Sequence, residues 1–249
     1  MSRMPFYDFG ARAGYRLGDR TLVDGTVMML TDPFHGIHMG VTAERIAERW
    51  SLSRELQDAY ALESHRRASA AITAGRFKDQ ILPIELKSKK GTVVFDTDEH
   101  VRMNATIDDM TKLRTVFQKD GTVTAGNASG LNDAAAATVL MERSVAEKKG
   151  LKPLARLVAY GHAGVDPKIM GIGPVPAVQN AMKRAGLTVA QMDVIESNEA
   201  FAAQSCAVAR DLGFDAAKTN PNGGAIALGH PLGATGCLIT IKALYELQR

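Results

Sequence analysis

Gly223-Gly-Ala-Ile-Ala-Leu-Gly-His-Pro-Leu-Gly-Ala-Thr-Gly236 separates a short polar segment, Lys218–Asn222, from the apolar run Thr235–Leu247. Pro231 biases His230 toward an extended backbone, and the glycines on either side let another group approach closely. Thr235–Leu247 reads as a helix, so the stretch is a glycine-rich turn that opens onto one. Upstream the same rhythm recurs. Ala155–Tyr160 reads as a strand and Pro176–Ala185 as a helix ended by Gly186. Met192–Glu196 reads as a strand running into a helix that begins near Glu199 and ends at Gly213. Strand, loop and helix in alternation predict layered α/β architecture, with the site in loops at the carboxyl ends of strands.

The first half has a different texture. Residues 1–41 are irregular, with one short helix around Leu22–Leu30. Thr42 is placed to cap a helix over Ala43–Trp50, and Ser53 a longer one that stops at Gly75. Ile81–Val94 alternates around Pro83 as one or two edge strands. A short helix is expected near Ile107–Leu113. Thr124–Asp133 is a run of small residues ahead of the apolar stretch Ala134–Met141. A boundary falls near residue 152 and another near 131. The chain carries no internal repeat.

A chain of 249 residues makes one large domain or two smaller ones, and 45% hydrophobic with 23% charged residues excludes a disordered chain. The net charge of +3 suits an anionic ligand without requiring one. Two cysteines are too few for a disulfide scaffold, which points to a reducing compartment. No signal-peptide core opens the chain, and no run approaches a membrane span. The expectation is a soluble, cytoplasmic protein with no nucleic-acid or membrane partner. Phosphate-loop, zinc-helix and nucleophile-elbow signatures are absent, and the glycine spacing does not fit a dinucleotide fingerprint.

Several residues could carry chemistry. His230 is either a hydrogen-bonded histidine in a tight turn or a neutral imidazole, with an ordinary pKa near 6.5, held to exchange protons. Asn198, in Ser197-Asn-Glu-Ala-Phe201, is either a helix N-cap or an amide that fixes a water or an oxyanion. His35 and His38 lack the companions a metal needs, so no metal is expected. Cys206 and Cys237 read as small packing residues.

Three segments together resemble the thiolase family: Ala125-Gly-Asn-Ala-Ser-Gly-Leu-Asn-Asp133, Asn198-Glu-Ala-Phe-Ala202 and Gly223–Gly236. They occur in the family's order and spacing, and the similarity extends to His38-Met-Gly40 and Gly75-Arg-Phe-Lys-Asp79. The branch it most resembles is that of acetyl-CoA acetyltransferases and β-ketothiolases. The resemblance implies a layered α/β fold, incomplete, with an inserted loop domain. Residues 1–131 would be the loop domain covering coenzyme A, 132–152 the end of the N-terminal half, and 153–249 a truncated C-terminal half.

It also implies reversible Claisen condensation and thiolysis of coenzyme A thioesters through a cysteine acyl-enzyme, with no resident cofactor. His230 and Asn198 would be catalytic. Ser129 would bond pantetheine and Arg102 would lie near the adenine end. His38, Met39, Phe117, Ala125, Leu131, Met170, Ala200 and Phe201 would line the pantetheine and acyl channel. In the family the nucleophilic cysteine precedes the position of Met1 and an acid/base cysteine follows that of Arg249. The chain is therefore expected to be a fragment without either cysteine segment. The alternative is a non-catalytic module binding coenzyme A or an acyl lipid. A homotetramer is implied for the full-length protein.

Overall fold

A computed structural model describes residues 1–249. Its first element is a minimal antiparallel pair, β1 (Phe6–Tyr7) with β2 (Val23–Asp24), followed by the one-turn helix α1 (Gly25–Met29). Asp24 caps α1 by accepting from the Thr26 amide at 2.7 Å. The next helix, α2 (Met39–Arg49), starts a turn earlier than Thr42 predicts. His38 is the cap: its Nδ1 accepts from the Gly40 amide at 3.0 Å. A neutral imidazole offers a lone pair to the free first-turn amides as a hydroxyl does. Thr42 instead lies inside the helix and donates to the Met39 carbonyl at 2.6 Å.

Ser53 does cap α3 (Arg54–Thr73), accepting from Leu56 at 3.2 Å, and the left-handed Gly75 (φ +68) turns the chain away. The buried side of α3 is unusually polar, with Gln57, Asp58, Ser64 and His65 among Ala61, Ala68 and Ala71. Such a face is stable only where each polar group finds a partner. Arg54 donates to Asp58 at 2.6 Å and Asn127 donates to the other Asp58 oxygen at 2.8 Å. The hairpin β3 (Ile84–Ser88) with β4 (Gly91–Phe95) follows. Helix α4 (Ile107–Thr111) opens on a reciprocal capping pair, Thr106 and Asp109, and α5 (Arg143–Lys148) closes the first half.

In the second half a 3-10 turn, Pro167–Ile172, leads into α6 (Pro174–Ala185), which ends at the left-handed Gly186. Helices α7 (Ala202–Leu212), α8 (Ala225–Leu228) and α9 (Leu232–Leu247) complete the chain. The helices expected around α6 and α9 therefore form, each starting a few residues earlier than the sequence suggests. The strands expected at Ala155–Tyr160 and Met192–Glu196 do not. The second is extended but pairs at a single bridge, Ile195 parallel to Thr219, and the first pairs with nothing. A strand exists only by virtue of a partner, and within residues 1–249 the first stretch has none and the second only this one bridge.

The largest core cluster joins α2, the 3-10 turn and α7 through Ile46, Leu52, Ile172, Ala203, Ala207 and Val208. Small residues let these helices approach closely. Two smaller clusters, Ala61–Ala202–Ile226 and Ala68–Val101–Ala227, fasten α8 to α3. Between them sits Glu199, only 2% exposed. Its carboxylate accepts from Ser64 at 2.7 Å, Asn220 at 2.9 Å, the Ile226 amide at 3.2 Å and Tyr60 at 3.3 Å. A Cβ on Gly224 would come within 2.2–2.5 Å of that carboxylate, so the glycine is required by the acid.

Glu199→Ala is expected to cost at least about 2 kcal/mol in urea unfolding, because each stranded buried donor costs roughly 1–3 kcal/mol. A loss within the scatter of surface substitutions would remove the central place given to this carboxylate. His65 supplies a pH test. Burial first, then the neighbouring His100 and Arg102, hold its imidazole down at about 4. From its unfolded value near 6.5 down to about 4, the unfolded chain binds a proton that folded His65 does not. Stability should therefore fall with pH across this window, and His65→Gln should flatten the slope.

Candidate active site

His230 is fixed from three sides. Its amide donates to Asn132 Oδ1 at 3.2 Å, its Nδ1 faces Thr235 Oγ1 at 2.8 Å, and its Nε2 faces Asn198 Nδ2 at 3.3 Å. The Thr235 hydroxyl already donates to the Pro231 carbonyl at 3.2 Å, so what it offers the ring is a lone pair. That selects the tautomer with hydrogen on Nδ1 and a free pair on Nε2. Burial pushes the imidazole pKa below its ordinary value, so the ring is neutral at pH 7. It is a base in its resting state.

Asn132 reaches His230 because Gly229 has no side chain. A Cβ there would lie 2.4–2.8 Å from the Asn132 carboxamide, and the φ of +101 at Gly229 also demands glycine. Asn198 departs from the helix-cap reading. Helix α7 begins at Ala202 behind Phe201, with no side-chain cap, because the segment 127–129 takes up the approach to the helix. Ser129 donates both its amide and its hydroxyl to the Ala200 carbonyl at 3.0 Å, and Ala202 donates to the Asn127 carbonyl at 2.8 Å. Asn198 is left free to meet His230, and its Oδ1 is buried without a partner.

Both residues face a cavity of about 840 Å³. Its wall also contains His38, Met39, Phe117, Ser129, Leu131, Met170, Ala200 and Phe201, for all of which the family resemblance implies contact with coenzyme A. His38 stacks on Phe117 at 4.9 Å between centroids, and Phe117 meets Phe201 edge-on at 6.1 Å. Gly40 makes room for this, since a Cβ there would lie 2.3 Å from the Phe117 ring. Arg102 and Ala125 are not in the wall. Arg102 is exposed, with its amide bonded to His65 Nδ1 at 3.2 Å. Ala125 is exposed on the outer corner of a turn closed by Thr124 and Asn127.

The wall is mostly apolar, yet Glu196, Asn198 and Gln204 each bring to it a residue with a buried, unpartnered oxygen. Glu196 keeps one oxygen on Lys242 at 2.8 Å, and burial raises its pKa against that cation. Sequence reasoning passed over Thr235, Asn132, Gln204 and Glu196. Thr235 had a usable signal, since it stands in the first turn of the helix that His230 introduces. Gln204 had none beyond being polar on an apolar helix face. Neither cysteine lines the cavity: Cys206 packs beside the main core, where burial pushes its thiol up to about 11, and Cys237 lies near Thr138. The two histidines of His35-Gly-Ile-His38 are engaged separately, His35 with Asp32 at 3.0 Å and His38 as the cap of α2.

Thr235→Val should leave the fold intact and release the tautomer preference. Long-range nitrogen–proton correlation spectra are expected to show His230 almost wholly protonated on Nδ1 in the parent and mixed in the variant. An unchanged spectrum would mean that Thr235 does not set the tautomer.

Residues 1–144 match the family description "Thiolase, N-terminal domain" and residues 151–249 match "Thiolase, C-terminal domain". The chain is 69% identical to the β-ketothiolase BktB of Cupriavidus necator, covering 100% of this chain and 64% of that protein. It is 52% identical to an acetyl-CoA acetyltransferase of Rhizobium meliloti over 96% of this chain and 61% of the relative. In three dimensions it is similar to Bacillus anthracis acetyl-CoA acetyltransferase, with a TM-score of 0.93 and 48% identity over 98% of this chain and 62% of that one. Human mitochondrial 3-ketoacyl-CoA thiolase in complex with CoA aligns with a TM-score of 0.91 and 46% identity, over 100% and 62%. The chain thus spans under two thirds of the length of these relatives. With matches along nearly its whole length and a common fold, the chain belongs to the thiolase family.

Proposed function

We propose that this chain supplies the proton-transfer and oxyanion-binding half of a thiolase-type acyltransferase acting on acetyl-CoA and β-ketoacyl-CoA. One observation carries the reading: a neutral His230, with its Nε2 lone pair turned to Asn198, in the wall of a largely apolar cavity. The names of the relatives supply the substrate class, as does the human thiolase solved in complex with CoA.

The thiol nucleophile, by the family resemblance, comes from a part of the enzyme other than residues 1–249. His230 Nε2 takes its proton, and the sulfur attacks the thioester carbonyl. The carbonyl electron pair moves onto oxygen. The new Nε2–H donates to that oxygen, and a water accepted by Asn198 Oδ1 donates beside it. Collapse restores the carbonyl and breaks the bond to coenzyme A sulfur, which takes the proton from Nε2 as it departs and leaves an acyl-enzyme. For condensation, a second acetyl-CoA gives its α-proton to the acid/base cysteine that the family resemblance implies, and the carbanion takes the acyl group from the nucleophilic sulfur, which leaves as thiolate. For thiolysis the sulfur attacks the 3-keto carbonyl of a β-ketoacyl-CoA instead, the acetyl-CoA carbanion leaves and is protonated by that cysteine, and free coenzyme A then takes the acyl group. Donors placed this way contribute ~2.7–4 kcal/mol each. Thiolate suits the exchange as both nucleophile and leaving group.

The channel assignment of His38, Met39, Phe117, Leu131, Met170, Ala200 and Phe201 rests on their shared wall. Ser129 stands beside them, while Arg102 and Ala125 would meet only the outer part of a bound coenzyme A. No metal or resident cofactor is assigned. We place the enzyme in the cytoplasm as a homotetramer. Two free cysteines agree with a reducing compartment, and no helix is long and apolar enough to cross a membrane. That no cysteine lines the cavity favours a second reading, a module that binds coenzyme A or an acyl lipid without turnover.

In the enzyme that carries this chain, His230→Ala should lower kcat for acetoacetyl-CoA thiolysis by about 10²–10⁴-fold. Asn198→Ala should lower it by about 10²–10³-fold. Coenzyme A affinity, read by calorimetry, should change by no more than about threefold in either variant. Unaltered turnover would sink the acid/base role. Coenzyme A binding with no turnover in any form would leave the binding-module reading.

A further inference from the structure

Two polar side chains of α9 reach back toward the site. Thr235 holds the His230 ring at Nδ1 across 2.8 Å. Lys242 stands two turns further along the same helix face, about 10.5 Å down the axis. Its ammonium donates to Glu196 Oε2 at 2.8 Å and to the Gly223 carbonyl at 2.6 Å. Glu196 precedes Asn198 by two residues, and Gly223 opens the turn that leads to His230. Of the side chains of α9, Lys242 alone bonds the extended segment that carries Asn198.

The ion pair is sheltered, with the Lys242 side chain 12% exposed and that of Glu196 3%. Water and salt screen such a pair far less than one on the surface. The contacts close a ring. It runs from Asn198 to His230 Nε2, across the imidazole to Thr235, along α9 to Lys242, and through Glu196 back to Asn198. Every bond of it lies within residues 1–249. The Glu199 cluster grips the same extended segment from the side of α3, and Asn220 clasps the Ser197 backbone at 2.8 Å in both directions. Neither of those contacts reaches α9, so the tie from the helix to the segment is the work of Lys242.

We propose that Lys242 is a positioning residue for acyl transfer: through α9 it keeps Asn198 in line with the His230 ring that Thr235 orients. The inference rests on the oxyanion-binding role proposed for Asn198. Lys242 touches no reacting atom. With the tie cut, α9 keeps Thr235 and therefore the His230 tautomer, while the segment 196–198 is free to shift against the ring. The water held by Asn198 then no longer meets the thioester oxygen squarely. The apolar wall of the channel is unchanged, so the loss falls on kcat and not on substrate binding.

A mutant cycle in the enzyme that carries this chain tests it. Lys242→Met alone strands a buried carboxylate and should lower both Tm and kcat. Adding Glu196→Met replaces the whole pair by apolar groups, which keeps a fold stable, so Tm should recover. In that paired variant kcat for acetoacetyl-CoA thiolysis should stay about 10–10²-fold down, with KM changed by no more than about threefold. In an Asn198→Ala background the same pair should cost less than about threefold, because the group it positions is already gone. A paired variant that unfolds or regains parental kcat makes the tie structural and overturns the proposal. So does an equal loss with and without Asn198. Asn198→Ala by itself decides the oxyanion reading, so a failure there is told apart from a failure of Lys242.

Discussion

The carboxylate of Glu199 is the constraint on which the site depends. A buried anion must be met by donors on every side, and the four that meet Glu199 come from α3, the turn at Asn220 and the amide of Ile226. Satisfying one acid therefore draws together helix, extended segment and glycine-rich turn. Its neighbour in sequence is Asn198, and the turn it holds leads into His230. The distance between these two side chains is set by an acid that touches neither. Gly224 shows how tight the arrangement is, since any side chain there would occupy the carboxylate's own space.

A second set of contacts joins the first half of the chain to the same place. Glu44, 5% exposed, accepts from the amides of Thr122 and Val123 and so holds the start of the small-residue run. Asn127, bound to Asp58, presents its carbonyl to Ala202, and Ser129 bonds to Ala200. The cavity is thus a joint product of both halves. Its wall is apolar apart from a few polar groups and the imidazoles of His38 and His230, a combination in which a hydrogen bond to a developing charge is strengthened by the low dielectric around it.

Much of this was legible along the chain. Ser53 and Gly75 bracket α3, Gly186 ends α6, and alternation around Pro83 announces the hairpin, because each of these is a local preference of one or two residues. The glycine turn and Asn198 were legible as candidates, and eight of the ten residues expected to contact coenzyme A lie in one wall. Other readings failed for reasons that are not local. Thr42 and Asn198 are good helix caps by residue type, yet His38 reaches the first-turn amides of α2, and the segment 127–129 occupies the approach to α7. Ala155–Tyr160 has a strand's composition and no partner.

The sequence by itself determined where α3, α6 and α7 stop, where the hairpin lies and which residues are candidates for proton transfer, since turns, glycine stops and side-chain chemistry are properties of short segments. Only the tertiary structure decided which of those residues meet. It turned Nε2 rather than Nδ1 of His230 toward Asn198, made Thr235 the group that selects the tautomer, and placed Arg102 and Ala125 outside the cavity. The physical reason is that hydrogen-bond satisfaction of buried groups such as Glu199 and His230 is settled between residues far apart along the chain. No local preference encodes which distant donor arrives.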